Sequence, residues 1–366
     1  MGDALSLNSS TPPWLEPVRG GHLNPALLAL PGIEQLRARL AGYQPRSPIA
    51  HLTGLPLIEA GIGTAVFEMP LSDWLCALQG AISIGPLAIV ADAALGAAVD
   101  SGLPAATPFV TSELSIRKLA PVQPRGSVIA RGSLLTARRA IALSEASLTD
   151  AHGRLLAHGS SLCFVLPQLS GLPEPPAHLE PIEPAVYDTP DPWQRAPLGG
   201  VVSQDVWDRL SGLEVMRARL AGEVPSSPIA QLTGLELGAV SKGEATFVLP
   251  ASEWLTFAPP GRIQGGAIAL LAEAALSTAI QTTLPARTAL SPIDLKVSYL
   301  RPLASDGREA TARGTVLHAG RRIAVAHSEV HDADGKRVAL ATGSALVLPG
   351  RTASGASLDD ATPDED

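Results

Sequence analysis

The nonapeptide at residues 47–55, SPIAHLTGL, returns almost unchanged at residues 227–235 as SPIAQLTGL, 180 positions later. LSDWL at 71–75 returns as ASEWL at 251–255, and the turn glycines Gly153 and Gly335 lie 182 positions apart. An offset that drifts by so little over a domain length describes a duplication with small insertions, not a short-period solenoid. The length of 366 residues allows two or three domains, and the repeat resolves it into two copies of one fold.

Each copy is built around a long apolar stretch. Residues 261–280 read GRIQGGAIALLAEAALSTAI and residues 80–99 read GAISIGPLAIVADAALGAAV, with Glu273 and Asp92 in matching places. Ala, Leu and Ile cover every side of such a helix, so it must be buried all round. A central charge, an opening Gly265-Gly266 and no basic anchors argue against a membrane span. A buried ionised carboxylate costs several kcal/mol or more unless it is paired or its pKa rises, so Glu273 needs a reason. Gly266, Glu273 and Ser277 share one helical face. Glycines admit close backbone approach, and the N–H groups of the first turn are free donors. Donors at the mouth of a helix and a carboxylate two turns in suit chemistry at a carbonyl. The alternative is a core helix whose Glu273 is held by a buried arginine or by backbone amides.

Around this helix the first copy alternates strand and turn signals. Residues 61–70, 108–119, 126–135, 141–149 and 155–165 read as strands. The expected class is α+β: two tandem units, each a curved antiparallel sheet wrapped round a long helix. One sheet covers one side of its helix and the other copy covers the rest. That isologous arrangement normally takes two chains, and here a linker fuses it into a pseudo-dimer. The expected boundaries are a loosely packed lead-in at 1–31, a first domain at 32–166, a Pro-rich linker at 167–205, a second domain at 206–349 and an acidic, disordered tail at 350–366. The lead-in has no signal-peptide pattern. MGDALS fits a loose N-myristoylation pattern at Gly2 and Ser6, but lipidation is not expected.

Several classes drop out. A net charge of −8 argues against a nucleic-acid surface. Cys76 and Cys163 lie in apolar runs without metal-ligand spacing, as buried thiols do in a reducing, cytoplasmic setting. The histidines form no metal spacing, and no Gly-x-Ser-x-Gly elbow occurs. No metal and no bound cofactor are expected. The Ala/Arg-rich composition looks bacterial.

IQGGAIALLAEAAL, followed by SPIDLKVSYLRPL at 291–303 and GRRIAVAHSEVHDADGKRVALATGSALVL at 320–348, resembles the hotdog-fold acyl-CoA thioesterases of the phenylacetate-pathway, PaaI-like type. The resemblance implies a hotdog fold, hydrolysis of acyl-CoA thioesters with coenzyme A as part of the substrate, and a site shared between two units. The family's helix begins His-Gly-Gly with an acid nine residues after the His. Gln264, Gly265, Gly266 and Glu273 occupy those places. By resemblance, the Gly265 amide donates to the thioester oxygen, Glu273 acts as base or nucleophile, and Ser277 positions the water. A partner-unit hydroxyl falls on Thr111, beside Ser112, in the first copy, but on Pro292 in the second.

Two unequal composite sites follow. One joins Gln264, Gly265, Glu273 and Ser277 to Thr111. The other joins Ser83, Ile84, Gly85 and Asp92 to Pro292, with Asp92 vestigial. Gln264 cannot transfer protons as the family's His can. Arg301, Arg321 and Arg322 are candidates for the coenzyme A phosphates, and Trp74 and Trp254 read as packing anchors. The expected partner is an acyl-CoA; a homodimer of the fused chain is compatible with the reading. Two rivals stand beside hydrolysis. One is a non-catalytic acyl-CoA-binding module. The other is a hotdog hydratase or dehydratase, against which stands the lack of a His five residues after either acid, where Ala97 and Thr278 stand.

Overall fold

The computed structural model describes residues 11–175, 178–258 and 260–351. The lipidation pattern at Gly2 and Ser6 and nearly all of the acidic tail lie outside them. The first repeat carries helices α1 (Gly32–Leu40) and α2 (Pro48–Thr53), a hairpin of β1 (Leu57–Gly61) and β2 (Thr64–Pro70), the long α3 (Ile84–Ser101), and then β3 (Phe109–Lys118), β4 (Ser127–Arg138), β5 (Ile141–Asp150) and β6 (Leu155–Val165). The second carries α4 (Gln204–Arg209), α5 (Gly212–Leu220), α6 (Pro228–Thr233), β7 (Glu236–Ser241), β8 (Glu244–Pro250), α7 (Gly265–Gln281), β9 (Thr288–Tyr299), β10 (Glu309–Ala319), β11 (Ile323–His331) and β12 (Arg337–Pro349).

All strands join one 12-stranded antiparallel sheet, ordered β1-β2-β4-β5-β6-β3-β9-β12-β11-β10-β8-β7. The order reads the same from either end once each strand is exchanged for its counterpart. The expected single strand at 61–70 is a two-stranded hairpin turned at Gly63, whose φ of 74° suits glycine. The four later strands stand where alternation placed them.

The seam between the halves is the β3–β9 pair, with Ile116 opposite Leu295 and Leu114 opposite Val297, all four buried. On the other face of the seam Lys296 Nζ lies 2.9 Å from Glu113. Period-two alternation puts the apolar members under the helices and the charged ones outside. Above this continuous sheet α3 and α7 pack against each other. The α3 segment is long and apolar enough to cross a membrane, yet most of it is buried inside the protein. It is a core helix because sheet and partner helix together cover its whole circumference.

The described part of the lead-in, from residue 11, is not loose. Its 3₁₀ turn Pro13–Leu15 crosses to the second repeat, where the Trp254 indole donates to the Glu16 carbonyl at 3.0 Å and Trp14 covers Gly234. The matching turn Pro192–Gln194, at the end of the linker, crosses to the first repeat. There the Trp74 indole donates to the Arg195 carbonyl at 2.8 Å and Trp193 covers Gly54. The two arms meet through a forked pair, Arg195 to both oxygens of Glu16 at 2.6 and 3.0 Å. Trp74 and Trp254 are the buried anchors of this exchange.

Candidate active site

The geometry starts at two glycines. Gly85 and Gly266 sit where α3 and α7 cross, running in opposite directions. A Cβ on Gly85 would come within 2.6 Å of Leu270, and one on Gly266 within 2.5 Å of the Ala88 carbonyl. Only glycine allows this approach. Each acid stands nine residues after its N-cap residue, so the antiparallel crossing sets the acid of each helix against the N-terminus of the other.

This corrects the composite sites. The Gly265 and Gly266 amides do not serve Glu273. Both donate to Asp92, Gly266 at 3.1 Å. Glu273 lies instead against the first repeat's helix start: Ser83 donates to it at 3.0 Å and the Gly85 amide also donates. Ser277, one turn along its own helix, donates at 2.7 Å. The segment facing Glu273 is that of Ser291 and Pro292, while Thr111 approaches Cys163 at 3.9 Å on the other side. Sequence spacing alone had assumed that the acid and the amides of one helix serve one site.

Other expected residues are also relocated. Gln264 turns inward and its amide donates to the Ile89 carbonyl at 3.0 Å, bracing α3. Ser112 is spent on the Leu162 carbonyl at 2.9 Å, within a bulge of β3. Arg301 donates to the Arg337 carbonyl on the surface, and Arg321 and Arg322 lie in the exposed β10–β11 turn. None of the three arginines lines the cavity beside Glu273.

That cavity, of about 120 Å³, runs between the repeats and is bordered by Gln79, Ser83, Lys118, Glu273 and Ser277. Glu273 is only 4% exposed. Burial is the largest influence on it and raises its pKa. Ser277, Ser83, the charge of Lys118 and the Gly85 amide pull the other way by favouring the carboxylate. Lys118, at the end of β3, is buried, and its pKa is lowered by the same desolvation. The sequence reading missed Lys118 because a lysine ending a strand normally points to water.

The Asp92 side is different. Burial raises Asp92 to about 6 against the opposing pull of the two amides. Tyr299 donates to the Gly265 carbonyl at 2.8 Å, and burial and the nearby Asp92 charge push its pKa well up. Where the Glu273 cavity is lined by Ala77, the matching position is Phe257. That ring packs edge-on to Phe67 at 5.8 Å and under Arg39 at 4.6 Å. A phenyl ring thus stands, in the first repeat's counterpart of that cavity, where Ala77 lines the open one.

Among the described residues no cluster of His, Cys, Asp and Glu is placed to hold a metal ion. The arrangement presents a desolvated carboxylate, two hydroxyls, a helix N-terminus and an ammonium around a slot, which are the parts needed to bring water to a polarised carbonyl.

Sequence and structure comparisons agree with this class. The model of the Thioesterase superfamily matches residues 261–339. A Halobacterium salinarum protein, provisionally named an esterase, is 31% identical over 141 residues, covering 36% of this chain and 91% of that one. The medium/long-chain acyl-CoA thioesterase YigI of Salmonella typhimurium is 41% identical over 58 residues, which cover 16% of this chain and 36% of that protein. A tesB protein of Mycobacterium avium subsp. paratuberculosis matches in structure with a TM-score of 0.51 at 13% identity, covering 82% of this chain and 98% of that one. The chain belongs to the thioesterase superfamily. It is a thioester hydrolase by class, built as two tandem hotdog units in one polypeptide.

Proposed function

We propose that the protein hydrolyses acyl-CoA thioesters at the cavity between the repeats. The carrying observation is Glu273: a buried acid with raised pKa, held by Ser83 and Ser277, on the wall of a cavity at the N-terminus of α3. The thioester carbonyl lies over the start of α3 and takes the Gly85 amide that Glu273 now accepts. Glu273 removes a proton from water, and the hydroxide adds to the carbonyl carbon. Collapse of the tetrahedral intermediate breaks the C–S bond, and the proton passes to the departing thiolate. Ser277 and Ser83 orient the carboxylate and water, and Lys118 favours the negative charge. Removing one preorganised oxyanion donor typically costs ~10²–10³ in rate.

The PaaI-like subtype is a finer proposal, supported by the Gln264-Gly265-Gly266 and Glu273 spacing. Coenzyme A as substrate fits the cytoplasm, with the buried free thiols Cys76 and Cys163 in keeping. The test is thiol release from a panel of acyl-CoAs. Release that disappears in Glu273→Ala supports the reading. Binding of acyl-CoAs without release would favour a binding module instead, and loss of the enoyl absorbance of crotonyl-CoA without thiol release would favour a hydratase.

A further inference from the structure

The cavity continues from Glu273 along α7, over Ser277 and Thr278, to Gln281, and Arg219 of α5 borders the same end. Gln281 stands eight positions beyond Glu273, about 12 Å along the axis. Gln281 is 3% exposed, and its side-chain amide has no hydrogen-bond partner among the described residues. The Arg219 guanidinium also lacks a hydrogen bond or ion pair among them. It lies 5.5 Å from the Phe247 ring centroid and feels Glu236 only through the field.

The repeat shows what is missing. The counterparts of Arg219 and Gln281 are Arg39 and Asp100, so the first repeat sets a carboxylate to face its buried arginine. In the second repeat that carboxylate is replaced by a neutral amide. Desolvation lowers the pKa of Arg219 to about 10, as expected for a buried cation short of a counter-ion. A guanidinium and a carboxamide left without hydrogen-bond partners on the wall of one cavity are suited to a carboxylate brought by the ligand.

Resting on the hydrolase reading above, we propose that the favoured substrates are linear acyl-CoAs whose acyl chain ends in a second carboxylate. That carboxylate accepts hydrogen bonds from Arg219 and Gln281 while the thioester lies at Glu273.

The test compares matched pairs, suberyl-CoA with octanoyl-CoA and adipyl-CoA with hexanoyl-CoA, by thiol release. For at least one pair the carboxylate-ended thioester is expected to have a kcat/KM tenfold or more above its partner, through KM. This is the factor expected of one charge-assisted hydrogen bond. Arg219→Met should collapse that ratio to about one or below. Gln281→Asp, which rebuilds the first repeat's Arg/Asp facing pair, should lower it as well and serves if the Met variant fails to fold. Wild-type protein that prefers the plain alkyl chains, or variants that keep the ratio, would overturn the inference and leave the hydrolase reading standing. No thiol release from any thioester would overturn the hydrolase reading. The inference is then decided by calorimetry, where tighter binding of suberyl-CoA than of octanoyl-CoA, lost in Arg219→Met, upholds it and equal binding ends it.

Discussion

Ser83 donates a 3.0 Å hydrogen bond to Glu273, 190 residues later and on the opposite repeat. The acid therefore sits against a half of the molecule to which it does not belong in sequence. The antiparallel crossing at Gly85 and Gly266 sets each acid against the start of the other helix.

Glu273→Ala is expected to lower kcat/KM for acyl-CoA hydrolysis by about 10²–10⁴, the usual worth of a general base. Asp92→Ala should keep most of the activity, because Phe257 stands where the Glu273 cavity has the small Ala77. Steady-state thiol release on both variants checks this, and the reverse ranking would contradict the assignment.

The acid limb of the kcat/KM profile should have its midpoint above the ordinary glutamate value of about 4.3, because burial raises Glu273. Activity rises with pH through that midpoint as the base loses its proton. Ser277 and Ser83 both favour the charged form, so Ser277→Ala and Ser83→Ala should each move the limb further up in pH. A limb that stays in place or moves down in both variants would contradict the donors' role.

Asp92 gives a stability signature. Its folded-state pKa of about 6 lies above the unfolded value, so its contribution is fully present below the unfolded pKa and is lost as pH rises through about 6. Asp92→Asn removes the cost of ionising in place and should stabilise the protein at pH 8 by at most about 3 kcal/mol. The gain should shrink toward zero at pH 4. Thermal melts at the two pH values read the difference.

Gly266→Ala should destabilise the fold by about 1–3 kcal/mol or more, since the added methyl meets the backbone of α3 at 2.5 Å. Denaturant unfolding measures it. A neutral result would mean that the helices part easily, against the close crossing.

Arg195→Ala should cost about 3–5 kcal/mol, the usual penalty for stranding a buried charge. It leaves Glu16, 4% exposed in its side chain, with Arg19 at 3.9 Å as its one remaining ion-pair partner among the described residues. Glu16→Gln in the same background should recover part of the loss.

Much was legible in the sequence because it is local or periodic. The duplication, the all-round apolar helices, the β3–β6 strands and the acids at matched positions follow from side-chain spacing and backbone preference, which act over a few residues. What only the tertiary structure decided is which pieces meet. The pairing of Glu273 with Ser83 rather than with Gly265, the inward turn of Gln264, the burial of Lys118 and the crossed Trp14 and Trp193 arms all depend on how two like helices cross. That crossing is set by the absence of two Cβ atoms, at Gly85 and Gly266, and by the twofold packing of the halves over the β3–β9 seam. A linear pattern records that a glycine or an acid is present; which distant group it touches is settled by close packing in three dimensions.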